Sequence, residues 1–405
     1  MNSNFNMVKK PKKEEVIEEE EETLLEEEIE DKNKVLSARK RMYKMMGIII
    51  FGTIILLVIL YICSMFIKKD YSYTEIEKIV KDAAISYFKD NPNSLPTEEG
   101  NIVEIDASNL VVAEKMKDLG EYTKEGVVCS ATVQVEKSGD QFLYTPYLNC
   151  GDKYTTEELY KRLIKDENIV NSGYGLYQNN GAYHYRGEKV DNYLQLDETL
   201  WRIVKITANN NIVLISNDGI TYEQPWDNRF NERNKFTSGF NNYSSSRVKE
   251  YLDKVYSNPV KEKGEILLSD KDKSKLVSYN LCTGKRDANS TAKDNSLECT
   301  EVLQNQKYGL LTLSDYLYAS IDSSCQNAAT KTCQNYNYLV KKGKSWWLLT
   351  GDTIDDSIVY AVKESGAVSR QMASNYHTIR PVIYLNSKVL YKSGDGTLEK
   401  PFKIK

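Results

Sequence analysis

The chain has 405 residues, 40% of them hydrophobic, a formal net charge of -4 at pH 7 and seven cysteines. That length predicts more than one folded unit, with apolar content enough for at least one substantial core. Its basic residues are scattered instead of forming a stripe, which excludes nucleic acid as a partner, and its 29 tyrosines are a compositional bias with no role as a class.

From the N-terminus, "EEVIEEEEETLLEEEIED", Glu14 to Asp31, holds twelve acidic residues and no basic one. Such a run repels itself in any compact fold, so residues 1–46 are expected as a disordered or transiently helical acidic tail, with docking to a basic cytoplasmic partner as the alternative. The stretch "GIIIFGTIILLVILYICSMFI", residues 47–67, then runs 21 residues without a charge, long enough to cross a hydrocarbon layer of ~30 Å as a helix. "KKDYS" follows it where a cleaved leader has small residues, so an uncleaved anchor in the lipid bilayer is expected. Arg39, Lys40, Arg41 and Lys44 flank it on one side, and Lys68 and Lys69 on the other; the excess predicts a cytoplasmic N-terminus.

Cys63 lies in the span, and the other six cysteines all follow it: Cys129, Cys150, Cys282, Cys299, Cys325 and Cys333. An even number on one side points to disulfides and so to an extracellular C-terminal part. Proximity favours Cys129 with Cys150, Cys282 with Cys299, and Cys325 with Cys333. Zinc is the weaker reading, since no CxxC pair exists and the two histidines, His184 and His377, are far from ligand spacing.

Beyond the span, "YTEIEKIVKDAAISYFKDNPN" spaces Ile76, Ile79, Val80, Ala83, Ala84, Tyr87 and Phe88 as a helix, with Thr74 and Glu77 as a capping box and Asn91-Pro92 as the stop. A second short helix is expected in "SNLVVAEKMKDLG". "VVCSATVQVEK" and "QFLYTPYLNC" then form a hairpin about Ser138-Gly139-Asp140, placing Cys129 opposite Asn149. Residues 71–152 thus form a small helix-on-hairpin module. An anchor followed by such a module is similar to pilin-like subunits over residues 47–152; a spacer or dimerising stalk is the preferred alternative.

A linker helix is expected over 153–168, from "TTEELYKRLIKD", and an α+β ectodomain over 169–405. "TLWRIVKIT" and "IVLIS" read as a buried hairpin, "SRVKEYLDKVYSNP" as a helix, and "TLSDYLYAS" as a second helix capped by Thr312. "SWWLLT", "SIVYAVK", "GAVSRQM" and "TIRPVIYLN" read as strands of a curled antiparallel sheet. In order, "LWRIVKI", "YGLLTLSDY", "SWWLLTG", "IRPVIYL" and "SGDGTLEKPF" resemble a family of bacterial ectodomains, domain of unknown function 6273, over residues 182–405. The resemblance implies a C-type-lectin-like fold, similar to the formylglycine-generating enzymes and variable ligand-binding proteins, and an extracellular location. An Arg common after the tryptophans in that family is Leu349 here.

For function, the expectation is non-covalent binding of a glycan or protein at the cell surface; a structural envelope or pilin-like subunit is the alternative and an extracellular enzyme the third reading. Strand alternation sends Trp346 and Trp347 to opposite faces, so one needs a cover or a ligand. Trp226, Asp227, Asn228 and Arg229 lie in "TYEQPWDNRFNERNKFTSGFNNYSSS", an aromatic and amide-rich segment that reads as a recognition loop. No cofactor is expected beyond calcium, for which Asp352, Asp355 and Asp356 in "GDTIDD" are candidates and Asp395 a weaker one. "DKDKSK" from Asp270 lacks the Gly and Glu of an EF-hand loop and reads as charged surface. Ser-x-x-Lys occurs at Ser37, Ser246 and Ser290 in unrelated contexts, as chance matches, and both histidines read as structural.

Overall fold

The structure, a computed structural model, describes residues 13–66, 71–265 and 267–405. Helix α1 (Lys13–Phe66) runs unbroken for 54 residues. Residues 13–46, expected as a disordered or transiently helical tail, lie within this helix; Glu, Leu, Lys and Met favour it, and no Gly or Pro interrupts them. Residues 1–12 lie outside the described residues. Within Glu30–Tyr61, the helix holds an apolar stretch long enough to cross a membrane, none of it buried against the rest of the chain.

The first folded unit comprises α2 (Tyr73–Asp90), β1 (Ile102–Asp106), α3 (Ala107–Val112), β2 (Ser130–Ser138) and β3 (Gln141–Asn149), its strands in the order β1-β2-β3. The α2 cap is Ser72, two residues ahead of the expected Thr74, with Glu75 accepting the Ser72 amide at 2.8 Å. That shift leaves Glu77 inside the helix and buried. The hairpin closes through two residues, not three: Ser138 faces Gln141 and Ser130 faces Asn149. The tighter turn places Cys129 opposite Cys150, and the two are bonded. Ile76, Val80, Ala84 and Phe88 of α2 pack on Val133, Val135 and Leu148, removing the apolar helix stripe from water.

A second core begins at α4 (Leu159–Leu163), shorter than the expected linker helix, and continues to Ile404. Its elements in order are β4 (Gly175–Asn179), β5 (Ala182–Arg186), β6 (Tyr193–Leu196), β7 (Thr199–Ile206), β8 (Ile212–Ser216), β9 (Gln224–Pro225), α5 (Arg247–Ser257), α6 (Asp270–Lys273), β10 (Tyr279–Cys282), β11 (Val302–Gln306), α7 (Leu313–Ala319), β12 (Trp346–Gly351), β13 (Ile358–Val362), β14 (Val368–Met372), β15 (Tyr376–His377), β16 (Val382–Leu385), β17 (Tyr391–Ser393) and β18 (Lys403–Ile404). In place of one curled sheet there are several antiparallel ones. A six-stranded sheet runs β16-β8-β7-β5-β4 with β6 also on β7; β12-β13-β14 form a second; β9 pairs β15, β10 pairs β11, and β17 pairs β18.

All five residues of β8 are buried, as a strand apolar on both faces requires. Ser246 caps α5 and Thr312 caps α7, each hydroxyl accepting the backbone N–H three residues on. The Asp270 stretch forms a helical turn with Asp272 buried, where a surface loop was expected, because Ser269 caps it.

The two cores meet at Glu77. Its carboxylate accepts Tyr154 Oη at 2.8 Å, Thr156 Oγ1, and Lys405 Nζ at 2.5 Å, so the last residue of the second unit is bonded into the first. Lys388 pairs with Glu136 at 2.6 Å nearby.

Candidate functional site

The expected recognition loop is half buried: Tyr222, Phe230 and Phe236 are exposed, whereas Trp226 and Asp227 are packed inside. Trp226 is 0% exposed, its indole N–H donates to Leu348 O at 3.2 Å, and its ring lies 5.9 Å from that of Tyr243. Asp227 is also buried and holds Arg229 through Nε at 2.9 Å, leaving Asn228 as the exposed member of the four. Two amides of this segment serve backbone carbonyls: Asn231 donates to Gly239 O within it, and Asn241 to Asp352, Asp355 and Ile358 of another turn at 2.8 to 2.9 Å. Gly239, at φ +77°, approaches so closely that a Cβ there would lie 2.1 Å from Asp227 O. The buried amides of this loop thus have a structural use: Asn241 satisfies the carbonyls of a neighbouring turn.

Trp346 and Trp347 are both buried, so neither offers a ring face as expected. Each face of β12 has its own cover. Trp346 packs edge-on to Tyr316 at 5.8 Å and under the Arg380 guanidinium at 4.6 Å. Trp347 donates to Gln224 O at 2.9 Å and meets the His377 ring at 4.5 Å, so the β9–β15 pair is its lid. Leu349 is buried beside them, its amide bonded to Leu311 O at 2.8 Å.

The proposed calcium ligands do not converge, and among the described residues no three His, Cys, Asp or Glu side chains form a metal-holding group. Asp352 accepts Arg370 Nε at 2.9 Å and Nη2 at 3.1 Å, Tyr360 Oη at 3.0 Å, and the amides of Ile354 and Asp355. Burial raises its carboxyl, but these donors outweigh it and hold the group below the usual carboxylate range. Asp355 takes Ser357, Asp356 takes Asn231, and Asp395 takes Thr397. Asp352, Asp355 and Asp395 thus close turns, and Asp356 ties its turn to Asn231.

All three cysteine pairs form as proximity suggested. The Ser-x-x-Lys matches are placed apart from any acyl-transfer geometry: Ser37 Oγ bonds its own helix at Lys34 O, Ser246 caps α5 while Lys249 pairs with Asp253, and Lys293 donates to Cys325 O. His184 is pushed down to about 4 by burial and, secondarily, by Lys205; burial alone pushes His377 to about 4, its Nδ1 lying 2.6 Å from Ser345 Oγ.

Two buried ionic networks brace the core. Glu298, fully buried, holds Arg286 Nη1 at 3.4 Å, Ser314 Oγ at 2.7 Å and Thr350 Oγ1 at 3.3 Å. Lys205 Nζ lies 2.7 Å from Asp315 Oδ1, which also accepts Asn295 at 3.0 Å.

A third buried charge has no such partner. Arg202 stands on β7, opposite Tyr193 on β6, with its guanidinium carbon 3.8 Å from the Tyr193 ring centroid and 5.0 Å from that of Tyr338. Nε donates to Asn192 Oδ1 at 2.5 Å and Nη2 to Val190 O at 3.3 Å. Among the described residues Nη1 makes no hydrogen bond, and no carboxylate lies within ion-pair distance, although Arg202 is only 6% exposed. It lines a cleft of about 670 Å³, with Glu188 and Lys342 also on the lining.

The far wall is the 334–340 segment. The Cys325–Cys333 bridge closes the loop ahead of it. Asn337 Nδ2 then donates to Tyr316 O and Cys333 O, both at 3.0 Å, and the Tyr338 amide bonds Gly187 O at 2.8 Å. Tyr336, at φ 48°, is half exposed, with its ring 6.2 Å from Tyr174. Beneath this wall Tyr338 Oη and Gln334 Oε1 are buried without a partner, which marks the region as polar beyond its own needs. Arg380, fully enclosed below, is pushed down to about 10 by burial and by repulsion from Arg202.

The sequence carried a signal for this site. An Arg between apolar neighbours in "TLWRIVKI", and the string "QNYNY" directly after a bonded cysteine, are the two walls. No family model matches this chain, and no curated protein or solved structure matches it either.

Proposed function

We propose that this chain is a single-pass membrane protein whose ectodomain, of the C-type-lectin-like kind suggested by its motifs, binds a glycan or protein ligand non-covalently at the cell surface. The observation that carries the reading is the buried Arg202 guanidinium, 3.8 and 5.0 Å from two tyrosine ring centroids and lining a cleft with one Nη unbonded. A desolvated cation without a counter-ion is costly to a fold that gains nothing from it. Aromatic faces beside a directional donor are what a sugar or a peptide side chain requires. The N-terminus is assigned to the cytoplasm and the bonded cysteines to the outside, on the basic flank and the one-sided disulfides.

Titrating a glycan and peptide panel against the full chain in detergent micelles tests this. A hit should weaken at least tenfold in Tyr336→Ala. Equal binding by both proteins removes the cleft from the site. Protease added to intact cells should digest the ectodomain and spare the tail, and protection of the ectodomain overturns the orientation.

A further inference from the structure

We propose that the cleft recognises an acidic glycan, by seating the carboxylate of a uronic-acid-type sugar on Arg202. This rests on the cleft being a ligand site and goes further, to the chemistry of the ligand.

Charge comes first. Two guanidinium groups, Arg202 and Arg380, lie close enough under the cleft to repel each other, and neither forms an ion pair among the described residues. Arg380 is tied to Ser216 O and Leu339 O, both at 2.9 Å, and faces Trp346. Two cations beneath the cleft favour an anion there. Asp191 and Glu188 are exposed and form no ion pair with the guanidinium, Asp191 acting on it only at a distance.

Geometry selects a carboxylate on a sugar. The Tyr193 and Tyr338 ring centroids lie 3.8 and 5.0 Å from the Arg202 guanidinium carbon, and two of its nitrogens are engaged with Asn192 and Val190, so Nη1 is the edge left to a ligand. An edge-on guanidinium N–H suits a planar carboxylate. Tyr336 supplies an exposed ring on the opposite wall for a sugar face. A peptide fits less well, because the amides of Asn335, Tyr338 and Val340 already bond Thr332 O, Gly187 O and Asn337 O, and that of Leu339 bonds Asn337 Oδ1. Those four amides are therefore not free to pair with an added strand.

The test is calorimetric titration of the full chain in detergent micelles with trigalacturonate, its methyl ester and triglutamate. Trigalacturonate should bind at least tenfold more tightly than either of the others, and Arg202→Met should reduce it to the level of the ester. Equal binding of acid and ester, both lost in Tyr336→Ala, keeps the cleft as a ligand site and overturns the anionic reading. Tighter binding of triglutamate replaces the glycan with an acidic peptide and overturns the proposal, as does failure of wild type to bind trigalacturonate. If Arg202→Met does not fold, the acid-versus-ester comparison on wild type decides alone.

Discussion

Glu298 and Arg202 are both charges removed from water, and the chain treats them in opposite ways. Around Glu298, an arginine, a serine hydroxyl, a threonine hydroxyl and a backbone amide consume the lone pairs of the carboxylate. Around Arg202, two nitrogens are held by a side-chain amide and a carbonyl, a third is left unbonded, and aromatic faces take the place of a counter-ion. Paired buried charge fixes where α7 sits on the second sheet. The charge of Arg202 has no partner of opposite sign, and its hydrogen bonds to Asn192 and Val190 leave Nη1 to the cleft, on which the proposed recognition rests.

The sharpest way to break this contrast is to remove Glu298. Glu298→Ala strands Arg286 in the core, and the expected loss is roughly 3 to 5 kcal/mol by chemical denaturation. A loss below about 1 kcal/mol would mean that the pairing does little. Trp226→Ala should cost a similar 3 to 5 kcal/mol through its cavity and the lost bond to Leu348 O; retained stability would return Trp226 to the surface.

Cys325→Ser with Cys333→Ser opens the shortest of the three bonded loops, of 8 residues, with an expected loss of roughly 2 to 3 kcal/mol in the chain-entropy model. It should also loosen the 334–340 wall, read as faster amide exchange at Tyr338. Unchanged exchange would show that Asn337 alone holds that wall.

Arg202→Met sharpens the other side: stability should stay within about 1 kcal/mol of wild type, since a buried charge gives way to apolar volume. A loss as large as that of Glu298→Ala would make Arg202 structural and erase the contrast. The smallest effect concerns pH. With folded values near 4 against an unfolded value of 6.5, His184 and His377 stay neutral where the unfolded chain takes up protons. Their contribution is present above pH 6.5 and falls away between 6.5 and 4. The double variant His184→Gln, His377→Gln should therefore lose less stability than wild type over that interval, and identical slopes would dismiss burial as the cause.

Local chemistry wrote much of this molecule. The apolar run of α1, the caps at Ser246 and Thr312, the doubly apolar β8 and the pairing of neighbouring cysteines depend on residues within a few turns or one hairpin of each other, and periodicity and spacing record such relations directly. Which aromatic side chains face outward depends on what folds over them. Trp347 is covered by β9, more than a hundred residues earlier in the chain, and Trp226 by the carbonyl of Leu348. Likewise the cleft joins Arg202 of β7 to a wall built from residues 334–340, with Gly187 and Asn337 pinned together across 150 positions. No window of sequence contains such contacts, because burial of a side chain is a property of its neighbours in space.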